Sequence, residues 1–388
     1  MTAMTCKPAR QIVAIDLLRF ICAALVMTFH YLTVFPLAPT ATIRAFDRTL
    51  ALAGDDARWT WFGWVGVQIF FVVSGYVIAR SGEGMTARGF LRRRILRLAP
   101  AAWICASLSA ACLFGFSLLA GPMVALRWVE AIFFLPTPTP IDSAYWTLTV
   151  ELCFYLLVAT RLRGDAGDSA RIERIGVVLG SASIAYWLIV ALIGASPDLA
   201  MENLIWRMTS LPYGVFFALG IMLWAIRDRG ATPARIACAT ILFAGSCGQI
   251  AANASSMADL RGLFAFPIAP IIVFAAAVTL IIGAARVQEP LVRVIGTTRL
   301  VTLGLMTYPL YLLHQSIGAV LIVHAVRAGM AQSVAIILAC ALAILLAWGV
   351  TRWLERPLRH WLAARLPEPR LRRALPPDIP PSASLPAG

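Results

Sequence analysis

The sequence predicts an all-α, polytopic membrane protein: a bundle of about ten transmembrane helices with both termini in the cytoplasm. Three observations carry that expectation. Of the 388 residues, 60% are hydrophobic and only 13% are charged, against roughly 25% charged in soluble domains; mean hydropathy is +0.81. Ten apolar runs reach the length of about 17–25 residues that a bilayer crossing needs. The basic residues, 32 Arg and a single Lys, cluster beside the ends of those runs.

In chain order the runs are 12–35, 61–80, 96–120, 144–160, 174–195, 209–226, 235–252, 264–284, 300–324 and 332–354. The first follows Lys7 and Arg10, is too long for a signal-peptide core and lacks a small-residue cleavage site, so it reads as an uncleaved span. Val124 to Leu135 is apolar but too short to span and contains Arg127 and Glu130. It is expected to be a re-entrant or interfacial helix, ended by the extended run Pro136-Thr137-Pro138-Thr139-Pro140. With the N-terminus inside, the segments on its side carry 25 Arg and Lys and the opposite side 7, with Arg19 in the membrane. The positive-inside rule then sets the orientation. The chain divides into a cytoplasmic N-terminus (1–11), a transmembrane domain (12–360) and a cytoplasmic, Pro-rich tail (361–388) expected to be disordered.

The formal charge of +14 does not make this a nucleic-acid protein. Its arginines sit where topology signals and lipid-headgroup contacts sit. All eight cysteines except Cys6 lie in apolar runs without C-x-x-C spacing, so they read as core residues, with no disulfide framework and no metal expected.

The first span carries the strongest functional signal, because Asp16, Arg19 and His30 stand among apolar residues. An Arg or Asp in hydrocarbon costs roughly 2.5–3.5 kcal/mol on insertion scales, so such groups line a protein interior or a watery cavity. Eleven positions separate Arg19 from His30, which is close to three helical turns and about 16 Å along the axis. Both therefore emerge on nearly one face. The plainer alternative is an Arg19–Asp16 pair with His30 reaching for the interface. In the fourth span Thr147, Glu151 and Tyr155 recur every four residues as a polar stripe; in the ninth, Thr307, Tyr311 and His314 share a face. Glu151, His30 and His314 thus come from three helices to similar depth, where they should face one another or a cavity. Their alternative is interhelical glue at roughly 1 kcal/mol or less per contact. On the cytoplasmic side Arg88, Arg92, Arg93, Arg94 and Arg97 separate the second and third spans. Arg94 and Arg97, one turn apart against the apolar run, suit the bidentate recognition of phosphate.

Taken together these segments resemble the acyltransferase 3 family of bacterial inner-membrane acyltransferases. Arg19 through His30 is similar to the family's first-helix Arg, ten residues, His signature. Phe70-Phe71-Val72-Val73-Ser74-Gly75-Tyr76 resembles its FFxxSG stretch, and Arg94-Ile95-Leu96-Arg97 its R-x-x-R. Trp146-Thr147-Leu148-Thr149-Val150-Glu151 and Thr307-Tyr308-Pro309-Leu310-Tyr311-Leu312-Leu313-His314 match two further elements, and Glu355-Arg356-Pro357 closes the series. Thr307 stands where the family more often has Ser.

The resemblance implies transfer of an acyl group, often acetyl, from cytoplasmic acyl-CoA to a hydroxyl of a carbohydrate, glycolipid or metabolite acceptor, at the outer half of the inner membrane. Hydroxyl attack on a thioester needs a base near neutrality and stabilisation of the oxyanion. His30 is expected to be the general base, with an acyl-imidazole on His30 as the alternative route. Glu151 is expected to orient an imidazole or hold the acceptor, and Arg19 to pair with Asp16 or steady the thioester. Arg94 and Arg97 are expected on acyl-CoA, and Ser74, Trp146, Tyr311 and His314 on substrate. The rival reading is a proton-coupled secondary transporter or flippase with a relay through His30, Glu151 and His314.

Overall fold

Helix α1 (Val13–Phe29) ends not in a loop but in a single π turn, His30–Val34. The computed structural model describes residues 12–35, 57–196, 204–261 and 268–366. The expected N-terminal segment 1–11 and the tail from 367 on lie outside the described residues. After α1 come α2 (Val65–Gly82), α3 (Ala87–Gly115), α4 (Gly121–Ile132), α5 (Trp146–Ala159) and α6 (Asp168–Leu192). The second half contains α7 (Gly214–Arg229), α8 (Pro233–Arg261), α9 (Ile268–Ile295), α10 (Thr297–Arg327), α11 (Gln332–Gly349) and α12 (Glu355–Arg365).

Among the described residues nine helical stretches are long and apolar enough to cross a membrane. The fourth of the ten predicted spans is the exception. A 3-10 turn and α5 together run only from Ser143 to Ala159. At 1.5 Å per residue that is about 25 Å, short of the roughly 30 Å hydrocarbon thickness. The element matches the expected run 144–160 to within one residue. The Asp142 side chain accepts from the Ala144 N–H at 3.0 Å and caps its start, and a turn that leads into Gly164, which has φ +79°, follows its end.

The short apolar stretch after the third span forms α4. It is held against α3 by the Trp103 indole N–H on the Ile132 carbonyl (2.8 Å) and the Trp128 indole N–H on Ser107 (3.0 Å). Beyond the last span, α12 stays helical to Arg365, past the expected boundary at 360. Arg92 caps its end by donating to the carbonyls of Leu366 (2.7 Å) and Ala363 (3.3 Å). One member of the arginine cluster thus has a structural task.

The centre of the bundle is built on α1, α2, α7 and α10. Helices α2 and α7 pack backbone to backbone: a Cβ at Gly75 would overlap the Phe217 carbonyl, and one at Gly220 the Val72 carbonyl. Small residues let helices approach where lipid supplies no hydrophobic drive between them. Helices α1 and α10 meet the same way, Gly304 against the Asp16 side chain and Gly318 against the Tyr31 hydroxyl. These contacts hold the polar faces of α1, α2, α5 and α10 in one interior.

Candidate active site

At the arginine-rich end of the bundle, α1, α2, α3 and α5 enclose a chamber of about 400 Å³ lined by Arg19, Arg80, Arg94 and Arg97, with Asp16 and Glu151. Four guanidinium groups from three helices converge there on two carboxylates. Their local tasks differ. Arg94 is buried, donates to the Ser81 hydroxyl at 3.0 Å, and lies over the rings of Phe90 (5.4 Å) and Tyr155 (5.9 Å). Arg80 stands 4.0 Å from the Asp228 carboxylate. Arg19 and Arg97 make no hydrogen bond or ion pair with the described residues. Elsewhere arginines are tied down, as where Arg229 and Arg235 grip Glu173. Two cations with no hydrogen bond or ion pair among the described residues, in a concave site, suit an anionic ligand, and planar forks suit phosphate oxygens.

Deeper in the bundle a second, inner chamber of about 60 Å³ shares three of these residues, Arg19, Ser74 and Glu151. That trio therefore borders both spaces. Glu151 is fixed in place, since its Oε1 accepts from the Ser74 hydroxyl at 2.8 Å and from the Tyr155 hydroxyl. Glu151 of the fourth span's polar stripe thus borders both chambers and bonds no imidazole. The inner chamber ends on α10 at Thr307 and Tyr311, with the Phe70 ring set edge-on to Tyr311 at 5.6 Å.

The two imidazoles lie next along α10. Tyr311 and His314 have ring centroids 5.9 Å apart, and His314 Nε2 is 2.9 Å from His30 Nδ1. Their protonation follows from their neighbours. His314 Nδ1 lies 3.2 Å from the Leu310 carbonyl, which only accepts, so Nδ1 carries the hydrogen. Nε2 of a neutral His314 is then an acceptor, and His30 Nδ1 donates to it. The lone pair of His30 is thereby placed on Nε2. Naming the tautomer identifies the atom able to take a proton.

Two further contacts hold this pair. The π turn brings Tyr31 onto the same partner as His30, and its hydroxyl donates to the His314 carbonyl at 2.6 Å. Such turns recur at functional sites because they redirect side chains within a helix. From the other side, the buried Asp142 accepts from the Ser316 N–H at 2.9 Å, and Ser143 donates to the Gln315 side chain. Burial raises the Asp142 carboxyl above its ordinary range, opposed by His314 and by the N–H groups of Ser316 and Ala144.

With this geometry in place, comparison with protein families is decisive. The family model described as an acyltransferase domain, acyltransferase 3, matches residues 12–352, nearly the whole chain. The chain belongs to this acyltransferase family. Comparison with curated proteins and with solved structures gives no match.

In this acyltransferase the sequence-predicted residues fall into three groups. Arg19, Arg94, Arg97, Ser74 and Glu151 line the large chamber, and Arg19, Ser74, Glu151 and Tyr311 the inner one. His30 and His314 form the bonded pair. Trp146 lines neither chamber; it packs on Phe71 and Tyr213 with the Arg207 guanidinium 4.9 Å over its ring. Sequence reasoning passed over Arg80, Tyr31 and Asp142. Arg80 closes the second span and looks like one more topology charge. Asp142 precedes Ser143 after a Pro-rich run, the position of a capping residue, which is a usable signal. Nothing in the sequence marks Tyr31.

Proposed function

We propose that this protein is a multi-pass enzyme of the inner membrane that moves an acyl group, acetyl above all, from cytoplasmic acyl-CoA to a hydroxyl of a carbohydrate-type acceptor at the outer half of the membrane. The observation that supports this reading is proximity. An arginine-lined chamber able to take phosphates shares Arg19, Ser74 and Glu151 with a small chamber whose Tyr311 ring lies 5.9 Å from that of His314, the partner of His30.

On this reading Arg80, Arg94 and Arg97 hold the CoA phosphates, and Arg19 steadies the thioester oxygen as negative charge develops on it. His30 Nε2 removes the acceptor's hydroxyl proton while the hydroxyl oxygen bonds to the thioester carbonyl carbon. The C–S bond then breaks, and the proton passes from the imidazolium to the departing thiolate. The products are an ester and free CoA thiol. His314 keeps His30 in the tautomer that has its lone pair on Nε2, the part an orienting partner plays beside a catalytic imidazole.

The test is thiol release from acetyl-CoA by purified protein in detergent, without an ion gradient and with carbohydrate acceptors supplied. Release is expected, and lost in His30→Ala at normal protein level. Gradient-dependent substrate uptake in sealed vesicles, with no thiol release under any acceptor tried, would instead make the protein a carrier.

A further inference from the structure

We propose that Asp142 is a positioning residue of the acyl transfer: its carboxylate fixes His314 and balances the positive charge that His314 takes from His30 when the acceptor hydroxyl gives up its proton. The inference rests on the acyl-CoA reading above and adds a residue that lines neither chamber.

Asp142 opens the 3-10 turn that leads into α5, and it is buried, with 1% exposure. Both of its oxygens face donors. Oδ1 accepts from the Ala144 N–H at 3.0 Å, and Oδ2 from the Ser316 N–H at 2.9 Å. Such bonds favour the ionised form of a carboxyl group. Among the described residues no Arg or Lys pairs with it. A cap needs no charge here, since Ser or Asn would cap the turn at lower desolvation cost. The group whose charge acts on Asp142 is His314, and the group whose charge acts on His314 is Asp142. A buried carboxylate kept beside a neutral imidazole is a counter-charge for the moment when that imidazole becomes a cation.

The surrounding contacts aim it. Ser143 donates to the Gln315 side chain, and the Tyr145 hydroxyl donates to the Ala102 carbonyl of α3 at 2.9 Å. The turn is thus tied to α3 and grips α10 at residues 315 and 316, directly after the imidazole.

The proton movement balances. At rest the His30 Nδ1–H donates to His314 Nε2 at 2.9 Å, and the His314 Nδ1–H to the Leu310 carbonyl at 3.2 Å. As His30 Nε2 takes the acceptor's proton, the Nδ1–H bond of His30 breaks and an Nε2–H bond forms on His314. His30 is then neutral, and His314 carries the positive charge with both of its N–H groups bonded. When the thiolate leaves, the His314 Nε2 proton returns to His30 Nδ1, and the His30 Nε2 proton passes to sulfur. At an effective dielectric of about 20, a unit charge about 12 Å away still shifts a cation's equilibrium about tenfold. Asp142 bonds α10 only two residues from His314.

The experiment is a double-mutant cycle on the full protein in nanodiscs, with thiol release from acetyl-CoA measured per monodisperse protein. Asp142→Asn should lower kcat about tenfold and leave KM for acetyl-CoA within about twofold. In a His314→Phe background the same change should cost less than about twofold, because no imidazole remains there to take the charge. Asp142→Glu keeps the charge and disturbs the fit, whereas Asp142→Asn keeps the shape and loses the charge, so Glu should retain more of kcat than Asn. If Asp142→Glu gives no monodisperse protein, the cycle decides alone. Equal losses in the two backgrounds, kcat of Asp142→Asn within twofold of wild type, or Asp142→Glu slower than Asp142→Asn overturns the proposal and leaves Asp142 a helix cap. Failure of the acyl-CoA reading looks different, since the wild type itself then releases no thiol with any acceptor.

Discussion

Replacing His314 by Phe tests the imidazole pair without touching the arginine chamber. His314, fully buried, supplies the acceptor for the Nδ1–H of the half-buried His30 at 2.9 Å. The net loss of one such hydrogen bond is about 0.5–1.5 kcal/mol. At about 1.36 kcal/mol per tenfold, a loss falling wholly on the transition state lowers kcat by about 2–13-fold. The Tyr31 contact goes to the main-chain carbonyl of residue 314, so it survives the substitution and keeps α1 on α10. KM for acyl-CoA should therefore hold within about twofold, because residue 314 does not line the large chamber. The assay is thiol release from acetyl-CoA with varied donor. A double-mutant cycle sharpens it: groups acting as one unit are strongly non-additive, so His30→Ala with His314→Phe should be little slower than His30→Ala alone. His314→Phe within twofold of wild-type kcat, or rate losses that simply multiply in the double variant, would refute the orienting role.

Three other outcomes follow from the packing and the charges. Arg97→Ala should raise KM for acyl-CoA about tenfold with little change in kcat, and Lys should rescue it only in part for want of a planar fork; Arg19→Ala, lining both chambers, should lower kcat as well. Steady-state kinetics separates the two patterns. Gly318→Ala places a methyl group on the Tyr31 hydroxyl and should remove about 1–3 kcal/mol of stability, read as a lower thermal midpoint together with reduced turnover. Gly75→Leu, by forcing α2 away from the Phe217 carbonyl, should sharply reduce the yield of monodisperse protein, while Gly248→Ala, which meets open space, should not.

Much of this architecture was legible because membrane insertion writes it into composition. Apolar runs of bilayer length and arginines at their ends locate the spans whatever the packing. The exception, the Ser143–Ala159 element, is as long as its predicted run of 144–160, which already stood at the short end of the bilayer range. The site was half legible. Helical spacing puts Arg19 and His30 on one face, and buried charge implies a cavity, so the participants could be named. Their pairing could not, because it depends on the rotation of one helix against another. Glu151 was expected to face the imidazoles or a cavity, and it borders both chambers, bonded to Ser74 and Tyr155. The π turn at His30–Val34 breaks the regular periodicity at the very residue whose direction mattered. Arg80 was hidden by abundance. In a chain with 32 arginines, no single one stands out until folding shows which share a chamber.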